Sequence, residues 1–162
     1  MSAKKPMTLA GFRTLQKEHE ALIKVERPVV LQRIADAAAE GDRSENAEYI
    51  YGRKRLRELD KRLAYLSTLL GDVEIIDPTT LAGTKVCIGA TVVIEEDGGR
   101  KNKWQIVGEG ESDTALGSIS WRSPMARALL GKQVGDVVTV ERPAGEVEVE
   151  ILELWFAARR IA

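Results

Sequence analysis

The sequence predicts an α+β protein, in which an antiparallel two-helix coiled-coil hairpin precedes a small antiparallel β-sheet domain with one short helix. Three observations predict it. Apolar residues recur at helical spacing from Leu9 to about Leu70, with one break at Gly41. The period then changes to short alternating segments, among them GEVEVEILEL. Between the two patterns, near residues 71–80, Pro78 and two threonines interrupt both. The expected division is residues 1–76 for the hairpin and 77–162 for the sheet domain.

In the first arm Leu15, Leu22, Val25 and Val29 are spaced by seven, three and four, and past Pro28 the stripe shifts to Val30, Ile34, Ala37 and Ala38. A proline inside a helix removes one hydrogen bond and kinks it, so one long helix bent near Pro28 is expected. In the second arm Leu56, Leu59, Leu63, Leu66 and Leu70 alternate steps of three and four, the seam of a coiled coil. Two such arms joined by a short turn pair as a hairpin, a rod about 40–45 Å long at the helical rise. Followed backwards by sevens, the seam leads from Leu56 to Tyr49 and Asp42, and from Leu59 to Gly52 and Glu45. Burying unpaired carboxylates is costly, so the hairpin is expected to open to solvent at its tip and display the two acids.

The second half reads as strands in KVCIGATVVIEE, KWQIVGEG, GSISW, DVVTVERP and GEVEVEILEL, with the turn residues of a hairpin in EDGGRK. SPMARALLG is a short helix: Ser123 is its N-cap, Pro124 takes the first turn and Gly131 closes the end.

Composition bounds the class. The chain has 162 residues, room for one ordinary domain or two small ones, and its 44% hydrophobic and 30% charged residues read as soluble and globular. Aromatics are only 5%, so the core leans on Leu, Val, Ile and Ala. A net charge of −1 gives the whole chain no electrostatic footprint of a nucleic-acid binder, and any such footprint must be local. The single Cys87 excludes an internal disulfide, fits a reducing compartment and reads as a small buried hydrophobe. No signal-like segment or membrane-length apolar run is seen, which makes the cytoplasm the expected location.

The tip segment EGDRSENAEY is more acidic than a turn requires. Asp42 and Glu45 are three apart, and two readings stand side by side. In one they form a capping box, with Asp42 as N-cap and Glu45 reaching back to it. In the other they contact a divalent metal, since Mg²⁺ takes oxygen ligands and is often held by one or two carboxylates with waters and phosphates. Two acids are half a site, so a partner would supply the rest. Behind the tip, Arg53, Arg57 and Lys61 run down one face at i, i+4 and i+8, and Lys54 and Arg55 broaden the strip. This is either a solvated flank with pairs such as Arg57 or Arg62 to Glu58, or a track for a phosphate backbone. Tyr49 and Tyr51 could stack on bases or pack. His19 has no second His or Cys near it and reads as a structural or solvated residue. Phosphate loops, Ser-His-Asp sets and zinc spacings are absent, which argues against a self-contained enzyme.

GDRSENAEYIYGRKRLRELDKRLAYL and SPMARALLGKQVGD resemble the bacterial transcript cleavage factors of the GreA/GreB family, and the basic RKRLRELDKR resembles the GreB type. The resemblance runs from GFRTLQKEHE to VEILEL. It implies a coiled coil that enters the secondary channel of a backtracked RNA polymerase and an FKBP-like C-terminal domain that docks outside it. Asp42 and Glu45 would help hold the second, weakly bound Mg²⁺ of the polymerase and orient water for attack on the RNA, with no metal held stably by the free protein. The factor would be no enzyme itself but a stimulator of the polymerase's own cleavage. Ser44 and Asn46 would shape the tip, Arg53, Lys54, Arg57 and Lys61 would meet nascent RNA, and Ser123, Pro124 and Met125 would face the polymerase. Monomer is the simplest state for a part that enters a channel, and no membrane is involved. Gly52 departs from the family pattern at a seam position, where it is expected to cost about 1 kcal/mol and loosen the rod. Two rivals remain: a channel-binding regulator without cleavage activity, against which the Asp42/Glu45 pair argues, and an FKBP-like prolyl isomerase or chaperone. The second would need several aromatics around one pocket, and Trp104, Trp121, Trp155 and Phe156 are few and scattered.

Overall fold

The leucine seam of the second arm forms as its spacing dictates up to Leu66, and at its end Leu69 is buried in place of the expected Leu70. The computed structural model describes residues 4–41 and 46–162. In it α3 (Ala47–Leu70) buries Gly52, Leu59, Leu66 and Leu69, with Leu56, Leu63 and Leu70 half-buried beside them. The first arm is α1 (Leu9–Ala21), a π-helical turn over Leu22–Glu26, and α2 (Arg27–Ala39). In the π turn the Arg27 N–H donates to the Leu22 carbonyl five residues back, and Pro28 follows in the first turn of α2.

The π turn corrects the expected stripe. The buried residues are Leu15, Leu22, Val30 and Ala37, at steps of seven, eight and seven. One extra residue in a heptad would rotate everything beyond it by about 100°, and a single π turn absorbs that residue. Val25 and Val29, expected in the seam, are instead 61% and 45% exposed.

Ion pairs cross between the arms. Arg62 grips the Glu18 carboxylate with Nε at 2.8 Å and Nη2 at 2.9 Å, Arg27 meets Asp60 at 2.9 Å and Arg55 meets Glu26 at 3.3 Å. His19 Nε2 lies 3.1 Å from Ser67 Oγ. These pairs are substantially exposed, so each contributes little. The hydrogen bond from Arg62 holds the Glu18 carboxyl below its ordinary value of 4.5. The stability linked to that pair is present above the ordinary value and is lost as pH falls through the lower folded value.

The second half is a six-stranded sheet ordered β5-β4-β3-β7-β6, with β8 added to β7. The strands are β3 (Thr91–Glu96), β4 (Lys101–Val107), β5 (Ser118–Ser120), β6 (Val137–Arg142), β7 (Gly145–Phe156) and β8 (Arg159–Arg160). All pairings are antiparallel except β4 with β5, which run parallel because the chain crosses between them through the loop at 108–117. The Glu/aliphatic alternation of β7 holds until a bulge, where the partner of Val93 is Glu153 and that of Ile94 is Ile151. The inward series therefore passes from Val149 and Ile151 to Leu154 and Phe156. Helix α4 (Pro124–Leu129) closes the core with Ala126 and Leu129, capped by Ser123 Oγ accepting the Ala126 N–H at 3.2 Å. Gly131 follows it at φ +81°, a conformation that suits glycine, and its N–H donates to the Val86 carbonyl at 2.8 Å. Cys87 is half-buried, and burial pushes its thiol pKa up, away from thiolate chemistry.

The sequence pattern did not reveal two short strands. β1 (Lys5–Thr8) and β2 (Val73–Ile76) pair in parallel, Lys5 opposite Val73 through Thr8 opposite Ile76. By contacts the chain forms one unit of Arg13–Gly71 and another of Met1–Phe12 with Asp72–Ala162, so the opening residues cluster with the sheet domain rather than with the hairpin. Glu111 fastens them there. Its carboxylate accepts the Thr8 N–H at 2.8 Å, the Gly108 N–H at 2.9 Å and the Thr8 hydroxyl, while Thr8 Oγ1 accepts the Gly11 N–H at 3.1 Å. Cβ atoms on Gly11 and Gly108 would collide with this carboxylate. Thr8 is itself 3% exposed, so Glu111→Ala is expected to leave buried donors unpaired and destabilise the protein by roughly 1–3 kcal/mol in urea titrations. An unchanged midpoint would refute this role. No described helix is long and apolar enough to cross a membrane.

Candidate functional site: the hairpin tip

Helix α2 ends at Ala39, and the Glu40 N–H closes back onto the Ala37 carbonyl at 3.2 Å. Helix α3 begins at Ala47 with Asn46 as its N-cap, whose Oδ1 accepts the Tyr49 N–H at 3.1 Å. Asn46 Nδ2 also donates to the Ala37 carbonyl at 2.7 Å. Asp42, Ser44 and Glu45 lie outside the described residues. The cap of α3 is nonetheless assigned: it is Asn46, not the Asp42 expected from a capping box, and the position three beyond it is Tyr49 rather than an acid. GDRSEN holds three polar cap candidates, Asp42, Ser44 and Asn46, which is why spacing alone did not single out the cap.

The basic strip separates into two flanks. Arg53, Lys54, Arg57 and Lys61 are all exposed, and none has a carboxylate partner among the described residues. Arg53 Nη1 donates to the Tyr49 hydroxyl at 3.0 Å with its guanidinium 5.8 Å from that ring. Arg55, expected to broaden the strip, instead turns to Glu26 and to Glu58, the latter at 3.6 Å. The expected pairs of Arg57 or Arg62 with Glu58 are replaced by Arg55–Glu58 and Arg62–Glu18, because the seam turns 55 and 62 toward the first arm. Helical spacing sets 53, 57 and 61 on the side away from the seam. Tyr51 is 69% exposed and Tyr49 only partly so.

Gly52 is buried in the seam and faces Ile34: a Cβ there would stand 2.8 Å from Ile34 Cγ1. The glycine is thus a seat for Ile34, which corrects the view that it only loosens the rod. Beside it Val30, Arg33, Asp36, Tyr51 and Arg55 line a groove of about 500 Å³. Gly52→Ala gains helix propensity of about 1 kcal/mol but must displace Ile34. We expect a net loss of stability that Ile34→Ala relieves in the double variant, with a coupling of roughly 0.5–3 kcal/mol in a thermodynamic cycle. Additive effects would show that the seat is not tight.

Ser123, Pro124 and Met125 stand together at the start of α4, in the other compact unit. Ser123 Oγ is committed to the cap, Pro124 is exposed, and Met125 packs partly against the core beside Trp104, Ile119 and Arg142. The aromatics of this unit sit in different surroundings. Phe156 is fully buried, the Trp121 ring lies under Arg122 at 5.1 Å, and the Trp155 ring lies under Lys103 at 5.5 Å. That dispersal removes the support for a prolyl isomerase. No group of three or more His, Cys, Asp or Glu side chains is placed to hold a metal among the described residues.

Two family models match the chain. The one described as transcription elongation factor, N-terminal, covers residues 5–75, and the one described as transcription elongation factor, GreA/GreB, C-term, covers residues 81–156. The chain is 48% identical over 148 residues to transcription elongation factor GreB of Yersinia pestis, spanning 91% of this chain and 86% of that protein. It is 45% identical to GreB of Pasteurella multocida over 93% of this chain and 95% of the relative. It is also 43% identical to GreA of Caulobacter vibrioides over 93% and 97% respectively.

Proposed function

Because the chain belongs to the GreA/GreB family of transcription elongation factors, we propose that it binds a backtracked RNA polymerase, inserts its hairpin into the secondary channel and stimulates cleavage of the extruded RNA. The catalyst in this reading is the polymerase, and the factor lends it side chains. One observation carries the reading beyond family membership: Asn46 already caps α3, so the helix start does not need Asp42 or Glu45. Two carboxylates concentrated where the α3 cap does not require them point to another task.

Their chemistry fits Mg²⁺ in kind, since both supply hard oxygen donors, but two residues fall short of an octahedral shell. The polymerase and the RNA would provide the rest. When bound, such an ion supplies charge stabilisation at the scissile phosphate and lowers the pKa of water. On the factor's side, Asp42 and Glu45 would be the residues that help hold the ion and orient the attacking water. The strand of RNA is steered by Arg53, Lys54, Arg57 and Lys61, whose charges no described acid neutralises. Ser123, Pro124 and Met125 form the proposed docking surface, Pro124 through its exposed ring. The factor acts as a monomer in the cytoplasm, where the polymerase works.

The test is RNA cleavage in a backtracked polymerase complex with Mg²⁺, with and without the protein. Faster release of the 3′ fragment is expected. Binding without acceleration would leave the regulator that occupies the channel without promoting cleavage. The basic face gives a separate expectation: replacing Arg53, Arg57 and Lys61 by Gln removes three phosphate contacts. The slope of log affinity against log salt should then fall by about 2 for single-stranded RNA. An unchanged slope in RNA-bearing complexes would assign the strip to solvation alone.

A further inference from the structure

The two tyrosines in the first turns of α3 are used differently. Tyr49 is partly buried, and Arg53 engages both its hydroxyl, at 3.0 Å, and its ring, at 5.8 Å. Tyr51 is 69% exposed, and no hydrogen bond or ring contact engages it among the described residues. A tyrosine that served packing would bury its ring. This one stands at the groove of about 500 Å³ that the buried Val30 and Gly52 also line. Gly52 brings only backbone there, so the groove is left open beside the ring.

Charge sorts what the groove can hold. Arg33 and Arg55 line it together with Asp36 and Glu48, so its charges balance, and Arg55 is already paired with Glu26 and Glu58. Such a lining does not favour a phosphate. It suits an uncharged flat group with a π face for the ring and N–H donors for the acids, which describes a nucleobase. Asp36 already accepts from the Gln32 amide at 2.8 Å, which leaves Glu48 the readier acceptor. Phosphates have their place alongside. Lys54 lies three residues after Tyr51, a neighbour on the helix surface, and no described acid neutralises it. A strand whose phosphate meets Lys54 brings a base within reach of the Tyr51 ring. We propose that this groove is a base-binding subsite, in which Tyr51 stacks on one nucleobase of the extruded single-stranded RNA and Glu48 accepts an N–H from its edge. The inference rests on the cleavage reading above and adds to it a point where the RNA is gripped by a base rather than by its backbone.

The experiment pairs changes in the protein with changes in the RNA. Backtracked polymerase complexes are assembled with an abasic nucleotide at each position of the extruded segment in turn, and binding of the protein is titrated on each. Tyr51→Leu keeps an apolar side chain and removes the stacking face, while Tyr51→Phe keeps the face. Residue 51 is exposed, so neither variant should lose helix content by circular dichroism. With the unmodified protein, one abasic position is expected to weaken binding on the order of five- to a hundredfold. Tyr51→Leu should weaken binding to intact RNA by the same factor, and should lose nothing more when that position is abasic. Tyr51→Phe should follow the unmodified protein at every position.

Independent losses that multiply at every position would overturn the proposal, and so would undiminished binding by Tyr51→Leu. An equal loss for Tyr51→Leu on polymerase complexes without extruded RNA would overturn it too, because the ring would then touch the polymerase itself. Binding, not cleavage, is what these titrations read, so the two ideas fail separately. If the unmodified protein shows the non-additive position yet leaves cleavage unaccelerated, the cleavage reading falls and the base subsite stands. If it does not bind backtracked complexes at all, both fall.

Discussion

Asp42→Asn and Glu45→Gln, made singly, are each expected to remove stimulated RNA cleavage by about a hundredfold or more while leaving binding to the polymerase intact. Both substitutions keep the size and shape of the side chain while removing its charge and replacing one acceptor oxygen with an NH₂ donor. Charge stabilisation by a bound cation is worth several kcal/mol, and each 1.36 kcal/mol is tenfold in rate. The double variant should be little worse than either single, since the two acids would serve one ion and act as a unit. Raising Mg²⁺ should recover part of the rate in each single variant. Helix content should not change, because the cap of α3 belongs to Asn46. Full cleavage by both variants would sink the metal reading and favour a regulator that only occupies the channel.

The second large effect concerns the rod. Leu66 is fully buried in the seam. Leu66→Ala is therefore expected to cost about 2–5 kcal/mol, read as a lower urea midpoint by circular dichroism at 222 nm. Val29→Ala provides the contrast. A stripe without the π turn would bury Val29, yet it is 45% exposed, so its truncation should stay within about 0.5 kcal/mol. Comparable losses at both sites would contradict the register described above.

How much of this was legible in the sequence depended on whether the signal was local. The heptads of α3 and the Ser-Pro start and glycine end of α4 are written in consecutive residues, and both elements form as read, with Leu69 in place of Leu70 at the end of the seam. The family itself was readable from the tip and α4 segments. The π turn was not found, although its trace is present: Leu15, Leu22, Val30 and Ala37 are spaced seven, eight and seven, and the eight was read as a proline bend. β1 and β2 escaped because each is four residues long, one carries Pro6, and their pairing joins positions 68 residues apart, as Lys5 and Val73 show. The partners of Arg55 and Arg62 escaped for the same reason, lying on the other arm at Glu26 and Glu18. At the tip the acids stood out by composition, but the choice of cap among several polar residues required the hydrogen bonds of Asn46.

The π turn also bears on how such an arm can change over time. A coiled coil counts in sevens, so an odd residue gained on one strand would ordinarily swing the distal end around its axis and aim its cargo elsewhere. Here the surplus link is spent within five residues just ahead of Pro28, and beyond it Val30 and Ala37 return to the seam. The length of the arm and the heading of what it carries are thereby uncoupled. An arm built this way can lengthen or shorten by one residue near its middle and still deliver its far end on the same bearing.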